Sequence, residues 1–185
     1  MSKVIAGMTI SLDGFVNDIS GSVASLYSDF ETYQNTEPYK ESIQNTGAVV
    51  MGKNTFTMAE DPDWYVDYEF QVPIFVLTHT LPKQQPKPTE KVSFTFVVDG
   101  VESAIKQAKL AAGIKDVAVI GGASVTQQCI RARLVDELQI DIMPILLGGS
   151  GGLRLFEDSE TASIQLERLS VVNLPGGRIH LKFRV

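Results

Sequence analysis

Val117-Ala118-Val119-Ile120-Gly121-Gly122-Ala123-Ser124-Val125 decides the fold. Its opening run is short and continuously apolar, with no alternation, which predicts a strand buried on both faces. Two glycines end the strand, and a helix follows from about Ser124 to Arg133. A strand that feeds straight into a helix is half of a crossover unit, and crossover units build parallel sheets. The glycines themselves have two readings. Without side chains they let an anion approach a helix start, where backbone N–H groups lack partners and the dipole favours negative charge. They also simply suit a tight strand-to-helix turn.

The same layout recurs upstream. Val4 to Ile10 is a buried strand that ends at Ser11-Leu12-Asp13-Gly14. Ala48-Val49-Val50-Met51-Gly52 is another, with Lys53-Asn54-Thr55 opening a short helix. Ile74–Leu77 and Phe94–Val98 add two more strands. Val101, Ala104, Ile105, Ala108 and Ala112 recur at helical spacing until Gly113 stops the helix. Ser28-Asp29-Phe30-Glu31 has the form of a capping box, and a second helical piece runs from a Thr36 cap, past Pro38, to about Asn45. Asp61 to Phe70 reads as a loop, and Leu81 to Lys91, with Pro82, Pro86 and Pro88, as an exposed connection.

Beyond Arg133 the pattern changes from crossover units to strands without helices. Leu138, Ile140 and Ile142 alternate with Glu137, Gln139 and Asp141, and Ile179 to Val185 alternates in the same way. That alternation turns His180 outward, to solvent. A change of phase between Ile164/Leu166 and Leu169/Val171 predicts a bulge near Glu167, and Pro175-Gly176-Gly177 predicts a turn. The expected architecture is one α/β domain over 1–185: a mainly parallel sheet, helices on both faces, and an antiparallel C-terminal edge.

A formal net charge of −6 across 185 residues opposes a nucleic-acid or anionic-membrane surface. The single Cys129 allows no internal disulfide and fits a reducing compartment. No apolar run has signal-peptide or membrane-spanning length, so the expected location is the cytoplasm and the expected partner a small molecule. Two histidines, one cysteine and scattered carboxylates offer no metal-ligand spacing, and neither a Walker A loop nor a Gly-x-Ser-x-Gly elbow is present.

Three strand ends carry polar groups: Gly52-Lys53-Asn54-Thr55, Leu77-Thr78-His79 and Gly121 to Val125. In open α/β sheets ligands bind outside the carboxyl ends of strands. Lys53 could pair with a phosphate beside the Thr55 hydroxyl, or be a solvated lysine next to a capping Asn54. The loop Met143 to Gly152 reads as structural, because no helix start follows it.

Taken in order, Ser11-Leu12-Asp13-Gly14-Phe15-Val16, Val50-Met51-Gly52-Lys53-Asn54-Thr55, Val76-Leu77-Thr78, Ile120-Gly121-Gly122 and Pro144-Ile145-Leu146-Leu147-Gly148 resemble the dihydrofolate-reductase-like superfamily. The similarity is to the branch holding the riboflavin-pathway pyrimidine reductase domain and related bacterial proteins, and it covers essentially the whole chain. The resemblance implies NADPH across the strand ends and, in many members, a homodimer. Carried over by position, it implies that Gly52, Lys53, Asn54 and Thr55 meet the adenosine end and that Leu77, Thr78 and His79 meet the adenine and 2′-phosphate. Gly121, Gly122, Ala123, Ser124 and Val125 would meet the pyrophosphate, and Ala6 on the first strand joins the cofactor-binding set.

Two departures stand out. Phe15 occupies a position where the pyrimidine reductase domain usually has lysine, and Ile120 one where it usually has a carboxylate. Both weigh against the riboflavin-pathway reaction. The expected activity is hydride transfer from NADPH to a pterin-, folate- or pyrimidine-like heterocycle, or to a carbonyl compound. The alternatives are a non-catalytic nucleotide-binding or sensor module and an unrelated phosphate-binding domain. Asp29 is the candidate proton relay, if burial raises its pKa; a charge favouring the first turn of a helix is the other reading. Asp13 is a candidate for shaping the loop beside the nicotinamide, and Trp64, Tyr65 and Tyr68 for flooring a substrate pocket.

Overall fold

The computed structural model describes residues 2–59, 62–82, 86–149, 152–157 and 163–185. Ser150 and Gly151 of the glycine-rich loop, and Asp61 at the start of the aromatic loop, lie outside them. Eight strands form one sheet: β1 (Val4–Ser11), β2 (Thr46–Gly52), β3 (Ile74–Leu77), β4 (Phe94–Val97), β5 (Asp116–Ile120), β6 (Glu137–Met143), β7 (Glu167–Asn173) and β8 (Ile179–Arg184). Their order is β4-β3-β2-β5-β1-β6-β8-β7. Every pair from β4 to β6 is parallel, and β8 pairs antiparallel with both β6 and β7. The chain thus has the expected α/β class, and β7 shifts register between Arg168 and Ser170, close to the expected bulge.

The sheet's two faces are covered differently. Helices α4 (Val101–Ala112) and α5 (Ala123–Arg131) pack on one face, where Val101, Ala104, Ala108 and Cys129 meet Val4, Ala6, Val119 and Leu138. This core holds Ala6 at 0% exposure, so of the expected cofactor set it can offer only its backbone. Over β2 and β3 the other face carries a second core: Val49, Met51, Ile74 and Val76 meet Phe56 of α3 (Lys53–Phe56) with Tyr65, Tyr68 and Phe70. Over β1, β6 and β8 it carries Thr9, Asp141 and His180, all buried, beneath the segment holding a 3-10 turn (Ala24–Tyr27), α1 (Phe30–Tyr33) and α2 (Glu37–Asn45).

That segment departs from expectation at its start. α1 is a single turn and no side chain caps it. Ser28 Oγ donates to Ser25 O rather than closing a capping box. α2 begins after Thr36 as expected, but the Thr36 hydroxyl donates back to Tyr33 O and caps nothing.

The sheet tolerates little change where β2 meets α4. Gly47 sits at a register shift between Thr46 and Ala48, and a Cβ there would lie 2.7 Å from both Ala112 O and Lys115 Cβ. Gly47→Ala is expected to destabilise the protein by about 1–3 kcal/mol, as overpacking does, without changing ligand affinity. Urea unfolding checks the first part and ligand titration the second.

Candidate active site

Two neighbouring features form the site: a glycine-lined cleft at the strand ends and a cavity beside it. The cleft is set by the ends of β2 and β5. Gly121 and Gly122 both have positive φ, at 74° and 82°, a region that costs L-residues energy and that glycine adopts readily. A Cβ on Gly121 would lie 2.5 Å from Thr55 Cγ2 and 2.7 Å from Thr55 Oγ1, and one on Gly52 would lie 3.0 Å from Val125 Cγ2. The two strand ends and the start of α5 therefore close together only because the side chains are missing. The first-turn N–H groups of α5 are among the donors that a helix leaves without internal partners.

The expected cofactor residues divide by what they can offer. Lys53, Asn54, His79 and Ser124 are exposed at this end of the sheet, Thr55 is half-buried, and the Gly52↔Leu77 pairing brings Lys53 and Thr78 to adjacent strand ends. Ala123 and Val125 are buried and contribute backbone only. The Thr78 hydroxyl is committed locally, donating to Thr80 O at 2.8 Å. Asp13 accepts from Ser11 Oγ at 2.5 Å and from the backbone N–H groups of Leu147 and Gly148. Those hydrogen bonds, Ser11's first, bring its pKa down to about 2. Asp13 thus ties the β1 loop to the glycine-rich loop.

The cavity lies on the polar half of the second face and holds about 120 Å³. Gly7, Thr9 and Ile120 contribute from β1 and β5, Gln139, Asp141 and His180 from β6 and β8. Ile120 belongs to the cavity and Gly121 to the cleft, so the two features join at one peptide bond. Aromatic walls come from Tyr27, Phe30, Tyr33, Tyr39 and Phe70. Tyr65 and Tyr68 do not line it; they are buried in the second core, with the exposed Trp64 packed edge-on to Tyr65 and tilted against Tyr68. The aromatic floor expected from those three residues is replaced by rings from the 27–39 segment.

Beside the cavity, Arg178 organises the buried charge. It is 0% exposed. Its Nε and Nη2 donate to Asp29 Oδ2 and Oδ1 at 3.0 and 2.6 Å, Nη2 also reaches Leu26 O, and Nη1 reaches Thr9 Oγ1. The guanidinium lies 4.2 Å from the Tyr33 ring centroid, a cation–π distance. Hydrogen bonding to Arg178 holds the Asp29 carboxyl below the ordinary range despite partial burial. The expectation that Asp29 stores a proton is thereby overturned: its charged form is the stabilised one.

His180 corrects a second expectation. It is 3% exposed rather than solvated, and its Nδ1 lies 2.9 Å from Asp141 Oδ1. Asp141 Oδ2 accepts from Tyr33 OH at 2.7 Å. With Nδ1 turned to a carboxylate, Nε2 is the ring's remaining polar atom, and it is buried without a hydrogen-bond partner. Sequence reading also passed over Glu69, a cavity-lining carboxyl whose pKa is raised by burial. Among the described residues no group of His, Cys, Asp and Glu is arranged to hold a metal, and no helix is long and apolar enough to cross a membrane.

Comparison with known proteins settles the relationship. A family model for the RibD C-terminal domain matches residues 2–179. The chain belongs to the RibD C-terminal domain family. Its fold is dihydrofolate-reductase-like. A solved protein of Shewanella sp. PV-4, whose name places it provisionally in riboflavin biosynthesis, superposes with a TM-score of 0.79 at 24% identity, with 98% of each chain covered. Dihydrofolate reductase from Enterococcus faecalis, solved in a complex with NADP(H), gives 0.61 at 16% identity, covering 98% of this chain and 95% of that one. The uncharacterized YwjB of Bacillus subtilis (strain 168) is 23% identical over 156 residues, 84% of this chain and 83% of its own length. Within this RibD C-terminal fold, Phe15 is buried under Arg154, whose Cζ lies 4.3 Å from the ring, and Ile120 makes an apolar stretch of cavity wall.

Proposed function

We propose that the protein is a reductase that uses NADPH to reduce an electron-poor C=N or C=O group of a small molecule held in the cavity. The observation that carries this reading is the meeting of the cleft and the cavity at Ile120 and Gly121. A dinucleotide's phosphates suit glycine-rich strand ends that face a helix start. Lys53 and His79 suit a further phosphate at the neighbouring strand ends. Family membership and the NADP(H) complex of a structural relative support the same cofactor.

When bound, NADPH supplies the hydride; the chain supplies position and protons. Gly52, Gly121 and Gly122 give close backbone approach, and Lys53, Thr55 and Ser124 add polar contacts around the phosphates. The aromatic walls give a flat substrate an apolar surface to lie against. One carboxyl lining the cavity can hold and exchange a proton: Glu69, whose pKa burial raises and which returns to its charged form opposite a bound cation. His180 Nε2, its ring fixed through Nδ1 by Asp141, can accept an N–H from the substrate. Asp29 serves instead to seat Arg178 under Tyr33.

The test is a titration of cofactor-stripped protein with NADPH and with NADH. At 100 times Kd, NADPH should raise stability by about 2.7 kcal/mol, with NADH binding at least tenfold more weakly. Absence of NADPH binding would defeat the reading.

A further inference from the structure

The charge around the cavity is one-sided. Among its lining residues are two carboxyls, Glu69 and Asp141, and no Lys or Arg. Arg178 lies next to it but is spent, with N–H groups given to Asp29, Leu26 O and Thr9, and one face closed by Tyr33. Asp141 is already opposed by Arg178 Nη1 at 3.9 Å, so an anionic substituent entering the cavity would meet the Glu69 carboxyl and no available guanidinium.

Other features favour the opposite charge. Tyr27, Phe30 and Tyr39 form a chain of edge-to-face rings at centroid spacings of 6.4 and 5.9 Å, which presents ring faces and edges to the cavity. Aromatic faces attract cations, more strongly where water is excluded. Glu69 has no ion-pair partner among the described residues, and the cost of its desolvation dominates its titration. His180 Nε2 is a buried, unpartnered ring nitrogen on the same wall, and such groups ordinarily find a partner.

Size narrows the ligand further. The volume of about 120 Å³ is comparable to the ~150 Å³ cavity known to admit a benzene ring. Gly7 keeps the sheet side flat: a Cβ there would meet nothing within 4 Å.

We propose that this cavity binds a flat, single-ring nitrogen cation without a phosphate group, held by Glu69, the aromatic walls and His180 Nε2. The proposal rests on reading the cavity as the substrate site. A protonated ring nitrogen or amidine-like edge supplies the N–H donors these groups call for, and a protonated C=N group is the form of an imine most open to reduction.

Three near-isosteres test the charge alone: benzamidine, benzamide and benzoate, with phenyl phosphate as the phosphate-bearing probe. Binding is measured by calorimetry on the full chain, with and without saturating NADPH. Benzamidine should bind at least tenfold more tightly than benzamide, with benzoate and phenyl phosphate weaker still. Glu69→Gln should remove about a tenfold share of the benzamidine preference while leaving NADPH affinity and the thermal midpoint near those of the parent. Gly7→Leu, which fills the floor, should abolish binding of all four probes.

Equal or tighter binding of benzoate or phenyl phosphate overturns the proposal, as does a preference unchanged in Glu69→Gln or no probe binding at all. Failure of NADPH to bind, with benzamidine still selected, would overturn the reductase reading and leave the cation site standing. NADPH binding without cation preference would do the reverse.

Discussion

Arg178→Met is expected to lower the unfolding free energy by about 3–5 kcal/mol, the usual cost of removing one partner of a buried ion pair. The loss comes from what is left behind. Asp29 would keep a carboxylate with a side chain only 13% exposed and no cation opposite it, and Leu26 O and the Thr9 hydroxyl would each lose a donor. Arg178→Lys should recover only part of this, because an ammonium cannot make the two parallel bonds to Asp29 or stack on Tyr33 as a planar guanidinium does. The double variant Asp29→Asn/Arg178→Met should be less destabilised than the sum of the single changes, which urea unfolding of all four proteins would show. The sign of the pH dependence follows from the lowered pKa of Asp29. The pair's contribution is whole above the ordinary value of 3.8 and is lost as pH falls through the lower folded value. The parent should therefore lose stability below about pH 4 more steeply than Asp29→Asn.

Gly121→Val is expected to cut NADPH affinity at least tenfold and to cost roughly 2–5 kcal/mol of stability. Two effects add. An L-residue at φ 74° costs about 1–2 kcal/mol, and a Cβ 2.5 Å from Thr55 Cγ2 must push the two strand ends apart, an overpacking cost of about 1–3 kcal/mol. The affinity loss is the more diagnostic part, since the same displacement removes the cradle from the start of α5. Gly7→Ala is the control: it lies on the adjacent strand, paired with Ile120, but its Cβ enters open space, so stability and NADPH affinity should stay near the parent's. Adding Thr55→Ala to Gly121→Val should restore some stability, whereas equal effects at positions 7 and 121 would show that the cleft is not where the cofactor binds.

Much of this architecture was legible because it is written in contiguous residues. A run such as Val117 to Ile120 ending in two glycines specifies strand, turn and helix locally, and the parallel sheet followed from repeating that unit. The polar centre was not legible for the same reason. Alternation along β8 shows that Arg178, His180, Lys182 and Arg184 share a face, but not what covers that face. Segment 24–45 covers it, and so Arg178 meets Asp29 across 149 positions of chain. His180 meets Asp141 because β8 pairs with β6 in the Asp141↔His180 register. Both elements were expected; their pairing was not. Glu69 gave no signal at all, standing among acidic and aromatic residues of which some pack inward and some face water.

The position of β8 has a consequence for how the protein is made. It leaves the ribosome after the other seven strands, yet it takes an interior place in the sheet between β6 and β7. Until Arg178 and His180 have been translated, Asp29 has no cation and Asp141 no imidazole. The nascent chain can assemble β1 to β6 and the helices on the first face, since those pairings are complete without it. The cavity, by contrast, has to wait for β8, and a chain stalled before residue 178 would carry the glycine-rich strand ends without the finished cavity.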